Sequence, residues 1–430
     1  METFSHQPAT TAFSAAAPSA VAGIIMECNP FHDGHRYILQ EARRVTNAQA
    51  VIAVVSGDFA QRGIPTVFPK EERVRSILEA GADLVLELPV CCAVSGAEYF
   101  ARGGVQILTA THVVTNLVFG SESADSAALL RQADFLLHEP DDFKELLRRY
   151  TAKGLTFPQA RTRAARECSA HLSLSKTAND VLGTEYVKNL LASGRDGQPL
   201  LAFHPVRRIT AESATSLRQE IQESHPESGI FADDFSGLLL GKLLSIDADP
   251  DRTFSDYADV SEDLSNRIHR LLPSYLSWTQ FCTLLKTKNL TYTSVSRALT
   301  HILLDMTADY LDLCRPSYAR VLGCRKKALP LLGQIQKNFA ADSSFEDEPL
   351  RGDRLFLITG KADADRLSSL PGSASVRKSL ALDLHASLTY DLVRRRKTAL
   401  TGNSGAQKDT AFADSSEAVP SEFSKPFLKI

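Results

Sequence analysis

The chain has 430 residues, 43% of them hydrophobic, and its 48 Lys and Arg against 51 Asp and Glu leave a formal net charge of -3. This length predicts two domains with tails, and the charge balance excludes a generally basic nucleic-acid coat, so we expect no DNA partner. No uninterrupted apolar stretch approaches the ~18 residues of a membrane helix, and residues 1–18 lack a signal-type apolar centre. These features predict a cytoplasmic protein without a membrane partner.

Aliphatic runs alternate with amphipathic stretches through the first part of the chain. Strands are predicted at Val21–Met26, Val51–Val55, Leu84–Leu88 and Val113–Phe119, and helices from Gly34 onward and over Lys70–Ala80 and Ala97–Leu108. This alternation predicts a parallel sheet covered by helices. In such sheets ligands bind beyond the carboxyl ends of the strands.

The later part of the chain is dominated by helical spacing. Residues 141–191 are helical in pattern, and "FHPVRRITAESATSLRQEI" predicts a last strand, a loop and a helix that begins near Ser213. Beyond that, strand signals are confined to short runs such as Leu355–Ile358. We therefore predict an α/β fold with a disordered tail at 1–18, a catalytic domain at 19–225, a mostly helical domain at 226–398 and a second disordered tail at 399–430.

The seven cysteines show no spacing typical of a metal site. Cys91 and Cys92 are adjacent, the others are scattered, and no C-x-x-C pair occurs. This usage predicts reduced packing thiols, with neither disulfides nor structural zinc.

Two histidines fall where the first strand gives way to the first helix, in "GIIMECNPFHDGHRYIL". The helix start offers unpaired N–H groups and partial positive charge, and Gly34 permits close backbone approach, so phosphate is the expected guest. His32 and His35 are three residues apart and can face one side of the helix, where both can grip a triphosphate. Their N–H groups can then stabilise charge on the α-phosphate as pyrophosphate leaves.

Two other interpretations of the histidines stay open. They can be polar caps of a surface helix, or they can bind zinc. Asp33 is the lone carboxylate nearby, and no cysteine completes a familiar zinc spacing, so Mg²⁺ that arrives with ATP fits better than a metal held by the protein.

The H-x-G-H string at 32–35 resembles the signature of the nucleotidylyltransferase superfamily, which joins an acid or phosphate to the α-phosphate of a nucleotide. A longer set of motifs resembles one family within it, the bacterial tRNA(Met) cytidine acetate ligases. The matching strings include "ECNPFHDGH", "SGDFAQRGIPTVFPKEERVRSILEAGADLVLELPV", "FGSE", "KTANDVLGTEYVKNL", "PVRRI", "ESATSLR" and "KTKNLTYTSVSRALTHILL", in the right order across about residues 21–395. Met26, Cys28 and Asp33 depart from the family, where a small aliphatic residue, Tyr and Asn are more typical.

The resemblance implies a fold and an activity. It implies a Rossmann-like nucleotidylyltransferase domain followed by a mostly α-helical portion that helps to hold tRNA. ATP and acetate would form acetyl-adenylate with loss of pyrophosphate, and the wobble cytidine of elongator tRNA(Met) would receive the acetyl group as N4-acetylcytidine. The shared catalytic string also leaves open an adenylyltransferase that makes a dinucleotide cofactor, and a binding protein without chemistry stays open as well.

By the resemblance, His32 and His35 are catalytic and the segment around them lies along ATP. The residues of this segment are Ile25, Met26, Glu27, Cys28, Asn29, Pro30, Phe31, His32, Asp33, Gly34, His35, Arg36, Tyr37 and Ile38. Further ATP contacts are implied at Gly120, Asn179, Arg207 and Arg208, and no metal ligand is predicted. The alternatives are a turn glycine at 120, a helix N-cap at 179 and a solvated arginine pair.

Weaker candidates surround this set. The string "ESATSLR" resembles the second phosphate-binding motif of the superfamily, which implicates Ser213, Thr215, Ser216 and Arg218, although helix capping explains its serines and threonine nearly as well. Arg62 and Lys70 are weaker candidates still, since a charged residue that opens an amphipathic helix is expected to face solvent. No side chain identifies the acetate pocket.

Four basic clusters are candidates for RNA contact, since clustered cations bind phosphates and a nearby aromatic ring can stack on an unpaired base. The clusters are Arg148, Arg149, Arg161, Arg163 and Arg166; Lys286, Lys288 and Tyr292; Arg325, Lys326 and Lys327; and residues 394–397. Each can equally be a solvated helix face.

Overall fold

The computed structural model describes residues 20–169, 172–209, 213–340, 355–370, 373–401 and 427–430. The tail predicted at 1–18 lies outside the described residues. Within the described part, no helix is both long enough and apolar enough to cross a membrane.

Ten strands and sixteen α-helices are formed by the described residues. The strands are β1 Val21–Met26, β2 Ala50–Ser56, β3 Phe59–Ala60, β4 Ile64–Pro65, β5 Leu84–Leu88, β6 Asn116–Ser121, β7 Ala202–Arg207, β8 Tyr318–Cys324, β9 Phe356–Ile358 and β10 Leu428–Lys429. The helices are α1 Asp33–Thr46, α2 Lys70–Ala80, α3 Val90–Ala93, α4 Ala97–Ala110, α5 Ser126–Leu137, α6 Asp141–Ala152, α7 Phe157–Cys168, α8 Ala178–Ala192, α9 Ala214–Ser224, α10 Ser236–Asp247, α11 Glu262–Leu271, α12 Trp278–Leu285, α13 Tyr292–Leu303, α14 Leu329–Ala340, α15 Lys361–Ser369 and α16 Ala374–Thr401.

The central sheet has the strand order β10-β8-β5-β2-β1-β6-β7, with β9 paired to β8. Strands β5, β2, β1, β6 and β7 run parallel to one another. Every residue of β1, β2 and β5 is buried, as expected for a parallel sheet with helices on both faces. The predicted α/β parallel sheet is confirmed.

The strand order changes direction at β1. The chain passes from β1 to β2 and β5 on one side, and then returns to place β6 and β7 on the other side. Crevices at such a reversal, beyond the carboxyl ends of the strands, are the usual ligand sites of open α/β sheets. Helix α1 begins directly above this point.

The later part of the chain also contributes to the sheet. Strand β8 pairs antiparallel with β5, with Leu84 opposite Cys324, whereas the sequence pattern predicts only short strands here, such as the run that forms β9. Since β8 is buried along its whole length against a partner more than 200 residues away, its local pattern did not reveal it. The domain boundary near 225 stays a prediction.

The end of the chain departs from the predicted tail. Leu428 and Lys429 pair with Gly323 and Cys324, and Leu428 and Ile430 pack on the core beneath them. The expectation of disorder is wrong for residues 399–401, which end α16, and for residues 427–430, because a short apolar run gains ladder hydrogen bonds at the edge of β8. Residues 402–426 of the predicted tail lie outside the described residues.

A buried group of four charged side chains, which we call the seam cluster, joins the two parts of the chain. It consists of Lys70, Asp58, Glu87 and Arg320. The ammonium of Lys70 lies 3.1 Å from Asp58 and 3.0 Å from Glu87, and Arg320 lies 3.1 Å from Glu87. Lys70 also donates to the Ser387 hydroxyl of α16 over 2.7 Å. The expectation that Lys70 faces solvent is therefore wrong, since the residue is only 3% exposed.

The β3–β4 hairpin is held by helix α13. Gly63 has φ +66, and a Cβ there would lie 2.4 Å from backbone atoms of Arg297, so the turn requires glycine. Its carbonyl accepts hydrogen bonds from the hydroxyls of Ser296 at 2.6 Å and Thr300 at 2.8 Å. This anchoring fixes the residues just before Gly63 above the sheet edge.

Candidate functional site

The two histidines cap helix α1 reciprocally. His32 is the N-cap, and its Nδ1 accepts the Gly34 N–H at 3.0 Å. The Nδ1 of His35 in turn accepts the His32 N–H at 3.2 Å. The capping interpretation is thus correct, and it coexists with a place in the site, because both rings also line the cavity described below.

Capping determines which ring nitrogen carries the proton. A Nδ1 that accepts a hydrogen bond is unprotonated, so each neutral ring bears its proton on Nε2. The ring centroids are 4.0 Å apart. Burial lowers the pKa of His35 to about 3, and the neighbouring His32 and Arg208 act in the same direction. His35 is therefore a neutral hydrogen-bond donor at physiological pH.

A cavity of about 300 Å³ opens at the reversal point of the sheet, between the amino-terminal ends of α1, α8 and α9. Predicted residues that line it are Ile25, Met26, Glu27, His32, Gly34, His35, Tyr37, Ile38, Gly120, Asn179, Arg207 and Arg208, together with the weaker candidates Arg62, Ser213, Thr215 and Arg218. Residues that sequence reasoning missed include Gln61, Phe100, Phe119, Leu182 and Tyr186. They lie on helices, on β6 or in a short loop, and their spacing there is that of ordinary core and turn residues.

Positive charge predominates around the cavity. Its lining includes four arginines, Arg62, Arg207, Arg208 and Arg218, against one carboxylate, Glu27. Burial raises the pKa of Glu27, although the Gln61 N–H that donates to it and the charge of Arg218 act in the opposite direction. Such an excess of guanidinium groups favours an anionic ligand.

The loop after β6 is held by Asp180. Its carboxylate accepts hydrogen bonds from the Ser121 hydroxyl and from the N–H groups of Glu122 and Ser123, each N–H at 3.1 Å. Burial raises the pKa of Asp180, but these hydrogen bonds outweigh burial, and the pKa is lowered. The carboxylate therefore keeps the end of β6 in place at physiological pH.

Gly120 lies within β6, so it is not a turn glycine. A Cβ built there would meet only the Cγ of Arg208, at an ordinary 3.7 Å. Packing within the protein therefore does not require glycine at this position. A ligand that lies against β6 is one reason why glycine occupies position 120.

Asn179 is not a helix cap. The N-cap of α8 is Thr177, and Asn179 lies in the first turn, where its amide donates to Glu122 over 2.7 Å. Arg207 donates to the carbonyl of Ser123 at 3.0 Å, and Arg208 lies 3.8 Å from Glu122. The arginine pair is thus oriented by the same loop and is not merely solvated.

Helix α9 contributes both a cap and a cation. Ser213 is its N-cap and accepts the Ser216 N–H at 3.1 Å, while Ser216 itself does not line the cavity. Arg218 donates to the Thr215 hydroxyl at 3.0 Å and to the Asn29 carbonyl at 2.5 Å. The capping interpretation therefore holds for Ser213, and Arg218 is positioned by the loop that leads into α1.

Part of the predicted ATP segment lies outside the cavity lining. The residues outside it are Cys28, Asn29, Pro30, Phe31, Asp33 and Arg36. Cys28 is fully buried, and Asn29 accepts the Val67 N–H at 2.9 Å, so both shape the loop from below. Asp33 is exposed and lies 3.8 Å from Arg36. The family departures at Cys28 and Asp33 thus fall outside the lining.

No carboxylate cluster with metal-binding geometry lies at the cavity among the described residues. The described side chains that converge in such geometry are Cys91, Cys92 and Cys314, which are buried elsewhere. All seven cysteines are free thiols. Sequence spacing does not predict that Cys314 lies near Cys91 and Cys92, because that contact arises only from the fold.

The family model described as HIGH Nucleotidyl Transferase matches residues 19–403. The tRNA(Met) cytidine acetate ligase of Clostridium perfringens is 33% identical over 355 residues, which cover 74% of this chain and 87% of that protein. The protein of the same name in Acetivibrio thermocellus is 34% identical over 358 residues, which cover 74% and 86%. The chain belongs to the tRNA(Met) cytidine acetate ligase family.

Solved structures of this family agree with the fold. Thermotoga maritima TmcAL bound with alpha-thio ATP superposes with a TM-score of 0.76 at 28% identity, over 87% of this chain and 94% of that chain. The apo form of the same protein gives a TM-score of 0.76 over 95% of that chain. The predicted nucleotidylyltransferase fold and the resemblance to the acetate ligase family are both confirmed.

Proposed function

We propose that this protein activates acetate with ATP and transfers the acetyl group to N4 of the wobble cytidine of elongator tRNA(Met). The observation that carries the proposal is the pair of reciprocally capped imidazoles in a cavity with excess arginine. Family membership supports the choice of substrates. A cytoplasmic location stays a prediction.

The first step is an in-line displacement at the α-phosphorus of ATP. An acetate oxygen bonds to that phosphorus as the bond to pyrophosphate breaks, which gives acetyl-adenylate. His32 and His35 donate through Nε2 to the phosphate oxygens whose negative charge grows in the transition state, and no covalent histidine intermediate is needed. Arg208 and Arg218 balance the charge of the triphosphate from the other walls.

The second step is acyl transfer. The cytidine N4 amine attacks the acetyl carbonyl, the bond to AMP breaks, and one proton leaves to solvent. Gly120 and Asn179 would hold the nucleoside end of ATP, since a glycine leaves room against β6 and an amide can both donate and accept. We expect Mg²⁺ to arrive with ATP, because it prefers phosphate oxygens and water and would neutralise part of the triphosphate charge.

Two assays test this proposal. Mass spectrometry of tRNA incubated with protein, ATP and labelled acetate should show labelled N4-acetylcytidine at the wobble position. ATP/pyrophosphate exchange should depend on acetate and should need no tRNA. Exchange that ignores acetate, or a stable dinucleotide formed from cofactor precursors, would contradict the proposal, and ATP binding without either reaction would indicate a binding protein.

A further inference from the structure

We propose that a cationic groove beside the ATP cavity binds the unpaired nucleotides that flank the acetylated cytidine. The groove has a volume of about 1190 Å³ and is formed by α7 and by the segment that leads into α8. Its lining includes Phe157, Arg161, Arg163, Arg166, Glu167 and Lys176. The inference rests on the proposed function, because it identifies where the RNA of that reaction lies.

The groove and the cavity share one wall. The first turns of α8 and the residues just before it separate them, with Asn179 and Leu182 lining the cavity and Lys176 and Val181 lining the groove. A cytidine whose N4 reaches the activated acetyl group must enter the cavity mouth. Its neighbours along the strand then pass beside this wall, where the groove is open.

Charge in the groove matches a phosphate backbone. Four cations line it against a single carboxylate, Glu167, which already accepts from Arg149 at 2.9 Å. Arg161 lies 3.5 Å from Glu185 and is partly neutralised. Arg163 and Arg166 are exposed, so phosphates can reach both guanidinium groups, and Arg163 also interacts with Glu167. Released counterions would then contribute to binding.

An exposed aromatic ring lies among these cations. Phe157 opens α7 and is 58% exposed, although burial of a phenylalanine is usually favourable. The guanidinium of Arg163 lies 4.7 Å from the ring centroid of Tyr150, which holds that side chain beside the groove. Aromatic faces among cations are the usual elements for binding unpaired bases.

The cluster at 325–327 is placed where it cannot serve this role. Because β8 runs antiparallel to β5, Cys324 lies opposite Leu84 at the start of β5, and the cluster follows at the edge of the sheet away from the cavity. Lys327 lies 3.0 Å from Asp83, and Arg325 donates to the Leu78 carbonyl at 2.6 Å. Lys327 and Arg325 therefore support the fold.

The two other basic clusters are less suited. In the cluster at 394–397, Lys397 is bound by Asp234 at 2.8 Å, and Arg394 lies 3.6 Å from Asp391. Arg395 and Arg396 are exposed, but they line neither the cavity nor the groove. Lys286 and Lys288 are exposed before α13, but they line neither the cavity nor the groove. They serve as the competing site in the experiment.

The charge test uses the double variant Arg163→Gln/Arg166→Gln in full-length protein with elongator tRNA(Met). The slope of log affinity against log salt should fall by about 1.4, which corresponds to two lost single-strand phosphate contacts. The matched control, Lys326→Gln/Lys337→Gln, removes the same charge from exposed positions elsewhere and should leave the slope unchanged. Acetate-dependent exchange reports whether the ATP site is intact in each variant.

The stacking test uses Phe157→Ala. Affinity for the tRNA should fall about 5- to 150-fold, while the salt slope stays the same, because a base contact is lost without a charge. Both variants change exposed side chains, and thermal unfolding checks that they fold.

An unchanged slope for the arginine variant would overturn the groove assignment, as would a loss of slope in Lys286→Gln/Lys288→Gln alone. If acetate-dependent exchange persists in these variants while their tRNA binding does not change as predicted, the groove assignment is wrong and the proposed function is not. If the wild-type protein itself shows no such exchange, the proposed function fails first.

Discussion

Two sets of charged side chains lie near the carboxyl ends of the parallel strands, and their composition differs. The seam cluster has two cations and two carboxylates, all buried and in contact with one another. The cavity has four arginines against one carboxylate, and it is open to a ligand. A balanced buried set can join two parts of a chain, whereas an unbalanced open set is completed by an anion.

The largest expected effect concerns the seam cluster. Lys70→Met leaves Asp58 and Glu87 buried without their shared cation, so the free energy of unfolding should fall by about 3–5 kcal/mol. Denaturant unfolding measures this loss. Lys153→Met, at an exposed position, should change stability by less than about 0.5 kcal/mol. Equal stability of the two variants would show that the cluster does not join the chain as described.

The next effect concerns the cavity. In the variant His35→Asn, the amide oxygen can still accept the His32 N–H, but the Nε2 donor of the imidazole is lost. His35→Asn should therefore lower acetate-dependent exchange about 10²- to 10³-fold with little change in stability. Exchange within about twofold of wild type would remove His35 from the chemistry and weaken the contrast between the two sets.

The same histidine predicts a pH effect on stability. The pKa of His35 is about 3 in the fold and is near 6.5 in the unfolded chain. Because the folded-state pKa is lowered, this contribution to stability is complete above pH 6.5 and is lost as pH falls toward 3.

Lowering the pH from 7.5 to 5 should therefore cost wild type about 2 kcal/mol more stability than His35→Asn. Denaturant unfolding of both proteins at the two pH values measures the difference. Parallel losses in the two proteins would mean that the imidazole is not held neutral by the fold.

The smallest effect concerns Gly120. The protein leaves room for a methyl group at this position, so Gly120→Ala should not lower stability. A nucleotide that lies against β6 would collide with the methyl group, so the KM for ATP should rise about tenfold. Gly241→Ala, in a helix with open space around it, is the matched control. If the two variants share the wild-type KM, nothing approaches Gly120 during the reaction.

Local patterns predicted the elements that carry their own signal. Helix α2 and strand β5 have the bounds expected from their apolar spacing, and α9 begins after Ser213 as its capping pattern indicated. Strand β8 was missed, because its place depends on β5 far away in the chain. Long-range pairing of this kind leaves no periodic trace in a single sequence.

The residues of the candidate site also divide into those that a local pattern predicts and those that it does not. The H-x-G-H string predicted the histidine pair at the helix start, because capping and anion binding both depend on local backbone geometry. Lys70 and Arg62 looked alike in sequence, yet one is buried in the seam cluster and the other lines the cavity. Gln61 reaches the cavity because α13 anchors Gly63, a contact that no local spacing encodes.

The most direct measurement is a crystal structure of this protein with a non-hydrolysable ATP analogue and Mg²⁺. The Nε2 atoms of His32 and His35 should lie about 3 Å from phosphate oxygens, with the triphosphate between α1 and α9. A triphosphate bound elsewhere, or rings that stay out of hydrogen-bond reach of it, would contradict the account.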